Sequence, residues 1–286
     1  MKARLYRTFI RLLPSLFYRI QHLRIHIKYG NHHYWANLKN PRTFNEHILK
    51  DKLSLNRRKY SDLVDKYLVK NVVKEMIGKQ YVIPTFAYID SLEKLNVSDI
   101  RFPCIMKPTH LSGYVKIYMT PEDLDIGEFK NMFSSFGKKN LYDLTGESQY
   151  RDLKPGVLFE ELLYDPSGDL KDYKFFCFNG RVEAIQVDFN RLTNHTRSFY
   201  SKGWQNLGFS TMYPLHPDDI DVPVQLAKML EIAETLSVNH KFMRVDLYNV
   251  NEKIYFGELT FHHGSGYEPF TTYKDDLWLG KFLGAS

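Results

Sequence analysis

Hydrophobic positions recur along this chain with two different periods. Residues 60–77 (YSDLVDKYLVKNVVKEMI) place Leu63, Val64, Tyr67, Leu68, Val72 and Met76 at helical spacing, with Ser61 as cap and Gly78 as stop. Residues 1–28 also read as helical. After Gly78 the period shortens. YVIPTFAYI (81–89), FPCIMKPT (102–109), YVKIYM (114–119) and VLFEELL (157–163) are short strand candidates. DYKFFCF and RVEAIQVD flank Asn179-Gly180, a strong two-residue hairpin signal. Pro223 opens a helix over VQLAKMLEIAETLS, with Leu226, Met229, Leu230, Ala233 and Leu236 on its buried side. FMRVDLYNV (242–250) and KIYFGELTF (253–261) form a last hairpin through Asn251-Glu252. Antiparallel hairpins without strict βαβ alternation predict an α+β fold rather than a doubly wound nucleotide-binding sheet.

Composition adds a globular class and a charge asymmetry. At 286 residues and 43% hydrophobic content, the chain is long enough for one large or two small domains. Cys104 and Cys177 sit inside apolar runs, as buried thiols in a reducing compartment do, and lack metal-site or redox spacing. The net charge is +6, yet residues 1–45 hold nine Lys/Arg and no acid, so the remainder carries −3. No apolar run approaches bilayer-spanning length and no small-residue cleavage site follows. The arm over residues 1–28 therefore either packs on the body with solvated cations, or lies on an anionic membrane surface or anionic glycan. No nucleic-acid motif accompanies it.

Several clusters carry chemistry. On the last hairpin Arg244 and Asp246 share one face, Glu258 and Thr260 share another, and Glu258 falls within about one residue of lying opposite Asp246. Carboxylates that close need a cation between them; the pattern is either a salt-bridge ladder or a site for a hard, oxygen-ligated ion such as Mg²⁺. Lys107 ends an apolar strand before Pro108-Thr109-His110-Leu111-Ser112-Gly113, a turn that holds phosphate or is an ordinary surface turn. It is no Walker loop, since the glycine spacing and following helix are missing. Glu160 and Glu161 close another strand, as solvated ends or as the edge of an adenine pocket, and Asp172 alternates with Lys174 on the next. Asp188, Arg191, His195 and Arg197 crowd one turn, where arginine suits a carboxylate or phosphate ligand. His262 and His263 are adjacent on a strand and face opposite ways, which argues against joint metal ligation.

Taken in order, these pieces resemble the TupA-like branch of the ATP-grasp enzymes, named for teichuronopeptide biosynthesis and associated with bacterial cell-surface polysaccharides. The matches are NPRTFNEHI (40–48), LVDKYLVKNVVKE (63–75), IMKPTH-x-SG (105–113), FEELL (159–163), LKDYKFFCFNG (170–180), IQVDFNRLTNHTRSFY (185–200) and FMRVDLYNVNEKIYFGELTFHHGSG (242–266). The resemblance implies an ATP-grasp fold, two α/β subdomains gripping ATP, with the arm outside it. The expected organisation is a basic helical arm over 1–40, an N-terminal α/β subdomain over 41–100, a small lid subdomain over 101–163 and a C-terminal subdomain with the Mg²⁺ site over 164–286.

The resemblance also implies roles. Lys66 and Lys107 contact ATP phosphates, His110, Ser112 and Gly113 form the phosphate-covering turn, and Glu160, Glu161 and Leu163 line the adenine hinge. Asp172 takes the ribose, and Lys174 joins the ATP-binding set. Asp246, Glu258 and Thr260 hold Mg²⁺, Thr260 standing where asparagine is usual. Arg244 stabilises the transferring phosphoryl group and the later oxyanion, with Lys107 also catalytic. Asp188, Arg191, His195 and Arg197, with His263 and the amide-rich turn Gly264-Ser265-Gly266, are the substrate-binding candidates. Leu111 departs from the family's glycine and disfavours a positive φ; His263 departs before the last Gly-Ser-Gly. The expectation is a cytoplasmic ligase, peripheral at the membrane if the arm binds there, joining an amino acid to a uronic acid of a surface polysaccharide. The rivals are a phosphotransferase and a non-catalytic polysaccharide-binding protein of the same fold.

Overall fold

Two turns with positive φ set the strand register. In the computed structural model Asn179 and Gly180 have φ of 50° and 76°, and Asn251 and Glu252 have 49° and 59°, the mirror-image turn that matches strand twist. The structure describes residues 2–191 and 193–284. Met1 of the expected arm, Leu192 of the arginine turn, and Ala285 and Ser286 lie outside the described residues. The chain divides into two compact units, one of residues 1–55 with 165–286, the other of residues 56–164.

The first unit is built on a five-stranded antiparallel sheet in the order β7-β6-β5-β8-β9. Its strands are β5 (Asp172–Phe178), β6 (Arg181–Phe189), β7 (Thr196–Tyr200), β8 (Phe242–Val250) and β9 (Lys253–Thr260). Alternation divides β5 between two faces. Cys177 looks toward α8 (Leu226–Ser237), with its Sγ 3.7 Å from Ala233 O. Phe176 and Phe178 point the other way, with Phe199 and Phe242, into a core closed by Phe44 and Ile48 of α3 (Phe44–Lys52) and Leu279 and Leu283 of α9 (Tyr273–Gly284). Asp172 and Lys174 lie on this same face, so an apolar half under two helices runs straight into a charged half. The α3 helix starts at a capping box in which the Thr43 hydroxyl accepts from Glu46 N and the Glu46 carboxylate accepts from Thr43 N.

The arm is two helices rather than one, α1 (Lys2–Leu12) and α2 (Pro14–Tyr29), because Pro14 lacks the N–H that would continue α1 and instead starts α2. Ile10, Phe17 and Tyr18 pack with Ala36, Leu38 and Leu49. No helix among the described residues is long and apolar enough to cross a membrane.

The second unit has a four-stranded antiparallel sheet in the order β1-β4-β2-β3, formed by β1 (Thr85–Ile89), β2 (Cys104–Pro108), β3 (Lys116–Tyr118) and β4 (Val157–Glu161). Cys104, Met106, Tyr118 and Phe159 pack against Phe129 and Phe136 of α6 (Ile126–Gly137). The helix expected over 60–77 is broken into α4 (Ser61–Val64) and α5 (Val69–Met76). Asp65 breaks it: its Oδ1 accepts from the amides of Tyr67 and Leu68 at 2.9 and 3.0 Å, satisfying donors that a continuous helix would have used. The break shifts the inward face to Val69, Lys70 and Val73, leaving Leu68 and Met76 exposed. The later helix starts at Leu226, three residues after Pro223. The strands expected in the second unit are real but shorter at their ends, whereas β5 and β8 match their expected segments, β6 runs one residue further, and β7 is a strand where only a turn was expected.

Candidate active site

In the second unit, pairing sets Glu160 opposite Ile105 on β2 and Thr85 on β1. That leaves Lys107 a diagonal neighbour on the same face. Glu160 is buried and takes two ammonium groups, one oxygen closely paired with Lys107 Nζ and the other 2.7 Å from Lys70 Nζ. Burial works to raise the Glu160 pKa, but the two lysines outweigh it and hold the group ionised. Lys70 was not expected here. It also donates to Ile83 O and Thr85 Oγ1, and burial lowers its pKa against the pull of Glu160. The available sequence signal was its position one helical turn after Lys66. A cleft of about 630 Å³ opens along β1, lined by Lys70, Lys74, Thr85, Tyr67 and Tyr88, the two tyrosines stacked at 4.0 Å.

The break at Asp65 places Lys66 outside either helix, its amide donating to Thr109 O and its Nζ to Leu111 O at 2.5 Å. Leu111 keeps a negative φ and is buried in the core of this unit, so the residue in the glycine's place anchors the turn. His110 is buried with Nε2 3.1 Å from Phe136 O, and burial lowers its pKa, which keeps it neutral. Ser112 and Gly113 are exposed, and Gly113 has φ of 78° with open space where a Cβ would stand. Glu161 is exposed and Leu163 half-buried; the Glu161 amide donates to Pro84 O.

In the first unit the register builds two charged rows across the sheet. Arg197, Asp188, Asp172 and Tyr248 are successive partners in one row; Gln186, Lys174, Asp246 and Glu258 are in the next. Thr260 pairs with Arg244 one step further along. Glu258 lies directly opposite Asp246, as the hairpin pattern predicts, and an extra residue at Gly257 absorbs the twist beyond them. Lys174 Nζ bridges Asp172 Oδ2 at 2.5 Å and Asp246 Oδ2 at 2.7 Å. Arg244 bridges Asp246 and Glu258, with Nε 2.7 Å from Asp246 Oδ1 and Nη2 2.8 Å from Asp246 Oδ2 and 2.6 Å from Glu258 Oε1. The Thr260 hydroxyl donates to Glu258 Oε1 at 3.2 Å.

Burial alone would neutralise these groups, but their neighbours decide otherwise. Burial opposes charge on Lys174, yet Asp172 and Asp246 raise its pKa. Arg244 and Lys174 likewise outweigh burial at Asp246 and lower its pKa. Asp172 is the exception: burial raises its pKa despite Lys174, and its buried Oδ1 has no hydrogen-bond partner. Arg191 Nη1 reaches Asp172 Oδ2 at 2.6 Å, and its half-exposed guanidinium remains open to solvent.

Arg197 is a strand residue. It grips Asp188 through Nε at 2.5 Å and Nη2 at 3.3 Å, and Glu268 through Nη1 at 2.7 Å. His195 stacks on Tyr213 at 3.7 Å, with Nε2 3.4 Å from Asp188. His262 and His263 turn to separate partners, His262 to Asp51 at 2.9 Å and His263 to Arg244 and Glu268. Because Arg244 Nη1 can only donate to His263 Nδ1, the proton of the neutral ring sits on Nε2, 3.2 Å from Glu268 Oε2. Burial lowers the His263 pKa, which favours the neutral ring. Glu268 is a further residue that sequence reasoning missed, since only the fold brings it to Arg197, Thr211 and His263. Gly264 and Ser265 have φ of 52° and 56°, and a Cβ on Gly264 would meet Glu268 Cγ at 2.4 Å, so only glycine fits there. The Ser265 hydroxyl and carbonyl both accept from Lys52 Nζ, at 2.8 and 2.9 Å, and that ammonium lies over the rings of Tyr18 and Tyr267.

Among the described residues no group of three His, Cys, Asp or Glu side chains converges on a metal position. Asp246, Glu258 and Thr260 supply oxygen donors on adjacent register positions, and Asp172 Oδ1 is an orphaned buried acceptor one strand away. Hard oxygen donors of this kind fit Mg²⁺, which keeps part of its water shell and needs only one or two carboxylates.

Known structures similar to this chain include the following three. D-alanine–D-alanine ligase from Bacillus anthracis, solved with ATP, is 16% identical, with 69% of this chain and 53% of that chain covered and a TM-score of 0.40. For D-alanine–D-alanine ligase from Helicobacter pylori the values are 18%, 77%, 61% and 0.39. For the biotin carboxylase domain of Hydrogenobacter thermophilus 2-oxoglutarate carboxylase, solved with MgADP, ADP and bicarbonate, they are 13%, 78%, 46% and 0.42. The chain thus spans 46% to 61% of the length of these three structures. No curated protein matches it significantly. The model of the TupA-like ATP-grasp family matches residues 46–283, which takes in both sheets and every candidate residue described above. With its two antiparallel sheets and the helices on them, the chain belongs to the TupA-like ATP-grasp family.

Proposed function

We propose that the protein is an ATP-dependent carboxylate–amine ligase, forming an amide through an acyl phosphate, and that it joins an amino acid to a uronic acid of a bacterial surface polysaccharide or its precursor. The observation that carries the reading is the charged face of the first unit's sheet. Asp172, Lys174, Asp188, Arg197, Arg244 and Asp246 are all buried there. A buried ion array adds little stability over apolar residues of the same volume, so an array of this size marks chemistry. Family membership supports the ATP-dependent part, and the substrate class is suggested by the motif resemblance to surface-polysaccharide enzymes alone.

A uronate oxygen attacks the γ-phosphorus of ATP, the bond to the β-phosphate oxygen breaks, and an acyl phosphate and ADP result. The amine nitrogen then attacks the acyl carbon, loses a proton, and the tetrahedral intermediate expels inorganic phosphate. Lys66 and Lys107 lower the cost of phosphate charge, and Glu160 orients Lys107. Asp246, Glu258 and Thr260 would hold Mg²⁺, which when bound neutralises phosphate oxygens. Arg244 has five N–H groups, four of which are engaged by Asp246, Glu258 and His263. The remaining Nη1 donor serves the oxyanion. The His263–Glu268 pair fixes the plane of the guanidinium, and Arg191, open to solvent, binds a substrate carboxylate.

The test is ADP release across a panel of amino acids with free and polymeric uronic acids. Ligation predicts phosphate release and sustained ADP formation, beyond one equivalent per enzyme, only when both carboxylate and amine are present. A phosphorylated saccharide accumulating without an amine would identify a phosphotransferase. No ATP turnover with any carboxylate and amine, together with ATP affinity unchanged in Asp246→Ala and Glu258→Ala, would leave a non-catalytic binding protein.

A further inference from the structure

Among the described residues, helix α2 has two apolar faces, and one of them packs inside the protein. Helix α2 buries Phe17, Tyr18, His22 and His26. With about 100° between successive residues, Leu16, Ile20, Leu23 and Ile27 form a second stripe on the opposite side. Leu16 is 40% and Ile27 61% exposed, with Ile20 and Leu23 half-buried between them. At the corner before Pro14, Leu12 is 72% and Leu13 53% exposed. Tyr29, the last residue of α2, and Trp35 beyond it present exposed rings at the other end. Arg24 and Lys28, both exposed, flank the stripe on one side and Arg19 on the other.

We propose that this outer face docks on an anionic lipid surface, with α2 lying in the plane of the bilayer interface. An apolar stripe edged by cations and ended by aromatic rings is the pattern of an interfacial helix, and at 16 residues α2 lies on a membrane rather than crossing it. Charge decides the source. Residues 1–45 hold nine cations and no carboxylate, which complements anionic headgroups. A polyanionic glycan would satisfy the cations but give Leu12, Leu13, Leu16 and Ile27 no apolar partner. A second copy would bring cations against cations with no acid from either arm.

The test is co-sedimentation of the full chain with phosphatidylcholine vesicles, with and without phosphatidylglycerol, over a salt series. The protein is expected to pellet with phosphatidylglycerol-rich vesicles, to stay in solution with phosphatidylcholine alone, and to be released progressively by salt. The pair Leu16→Glu and Ile27→Glu should weaken binding by about tenfold or more, with circular dichroism and elution volume unchanged. Leu13→Glu, at the N-cap of α2 and more than half exposed, repeats the test without altering the stripe along the helix. Wild-type protein remaining in the supernatant, or the glutamate variants pelleting as well as wild type, overturns the proposal. Soluble polyuronate binding that survives these substitutions, with no vesicle binding, assigns the arm to a glycan and overturns it too. So does a dimer that the variants dissolve while vesicles are ignored. None of these readouts depends on ATP turnover.

Discussion

Replacing Lys174 with Met removes the one ammonium held between Asp172 and Asp246, 2.5 and 2.7 Å away. Methionine fills a similar volume, so the loss is mainly electrostatic: two buried carboxylates lose their shared partner. Breaking a buried pair from one side costs about 3–5 kcal/mol. At a urea slope of about 2 kcal/mol per molar, the unfolding midpoint should fall by about 1.5–2.5 M. All three tryptophans, Trp35, Trp204 and Trp278, lie in the unit that contains Lys174, so tryptophan fluorescence reads that unit alone. The sign of the pH dependence follows from Asp172, whose folded pKa is already raised by burial and rises further once Lys174 is gone. Between the unfolded and folded values the native state binds more protons, so the deficit should shrink as pH falls from about 8 toward 5. Asp172→Asn in the same background should recover part of the loss at pH 8. A deficit under about 1 kcal/mol, or one identical at pH 8 and pH 5, would refute the reasoning, because two buried carboxylates left with only Arg191 and Arg244 after losing their shared ammonium cannot be that cheap or that insensitive to protons.

In the second unit, Lys107→Ala should lower kcat/KM for ATP by about 10²–10³-fold, whereas Lys70→Met, which only releases Glu160, should act mainly on KM; steady-state kinetics in ATP separates them. Glu258→Gln should raise the Mg²⁺ concentration needed for half-maximal turnover more than it changes unfolding, since Glu258 is the more exposed of the two carboxylates proposed to hold the ion; a magnesium titration checks this. Asp276 is buried, accepts from Tyr34 and Asn45, and has its pKa pushed up to about 7 by burial. Its contribution to stability is therefore complete below pH 4 and is lost as pH rises through about 7, at about 1.4 kcal/mol per unit. Asp276→Asn should flatten that slope in tryptophan-monitored urea melts between pH 4 and pH 8, and an unchanged slope would contradict the assignment.

The hairpins were legible because a two-residue period and an Asn-Gly turn set both face and register locally. The hairpin brought Glu258 to within about one residue of Asp246, but a salt-bridge ladder and a metal site both fitted that pattern; the metal roles came from the family resemblance, and the extra residue at Gly257 sets the pairing. What the sequence hid depends on partners far along the chain. Lys70 and Met76 both fit the helical pattern of 60–77, and only the break at Asp65 decides that the lysine turns inward and the methionine outward. Arg197 looked like a free clamp on a turn; strand pairing with Asp188 commits it to the protein's own carboxylates. Glu268 carries no local pattern at all. The α3 helix, by contrast, had a readable signal in its Thr43–Glu46 capping box.

The central claim is that a carboxylate oxygen of the substrate passes to phosphate during amide formation. Turnover of a uronic acid labelled with ¹⁸O in its carboxyl group, with an amine acceptor and unlabelled ATP, reads this directly by mass spectrometry of the released phosphate. The acyl-phosphate route predicts one ¹⁸O in each phosphate and one retained in the amide carbonyl. Phosphate without label, or label confined to a phosphorylated saccharide, would contradict it.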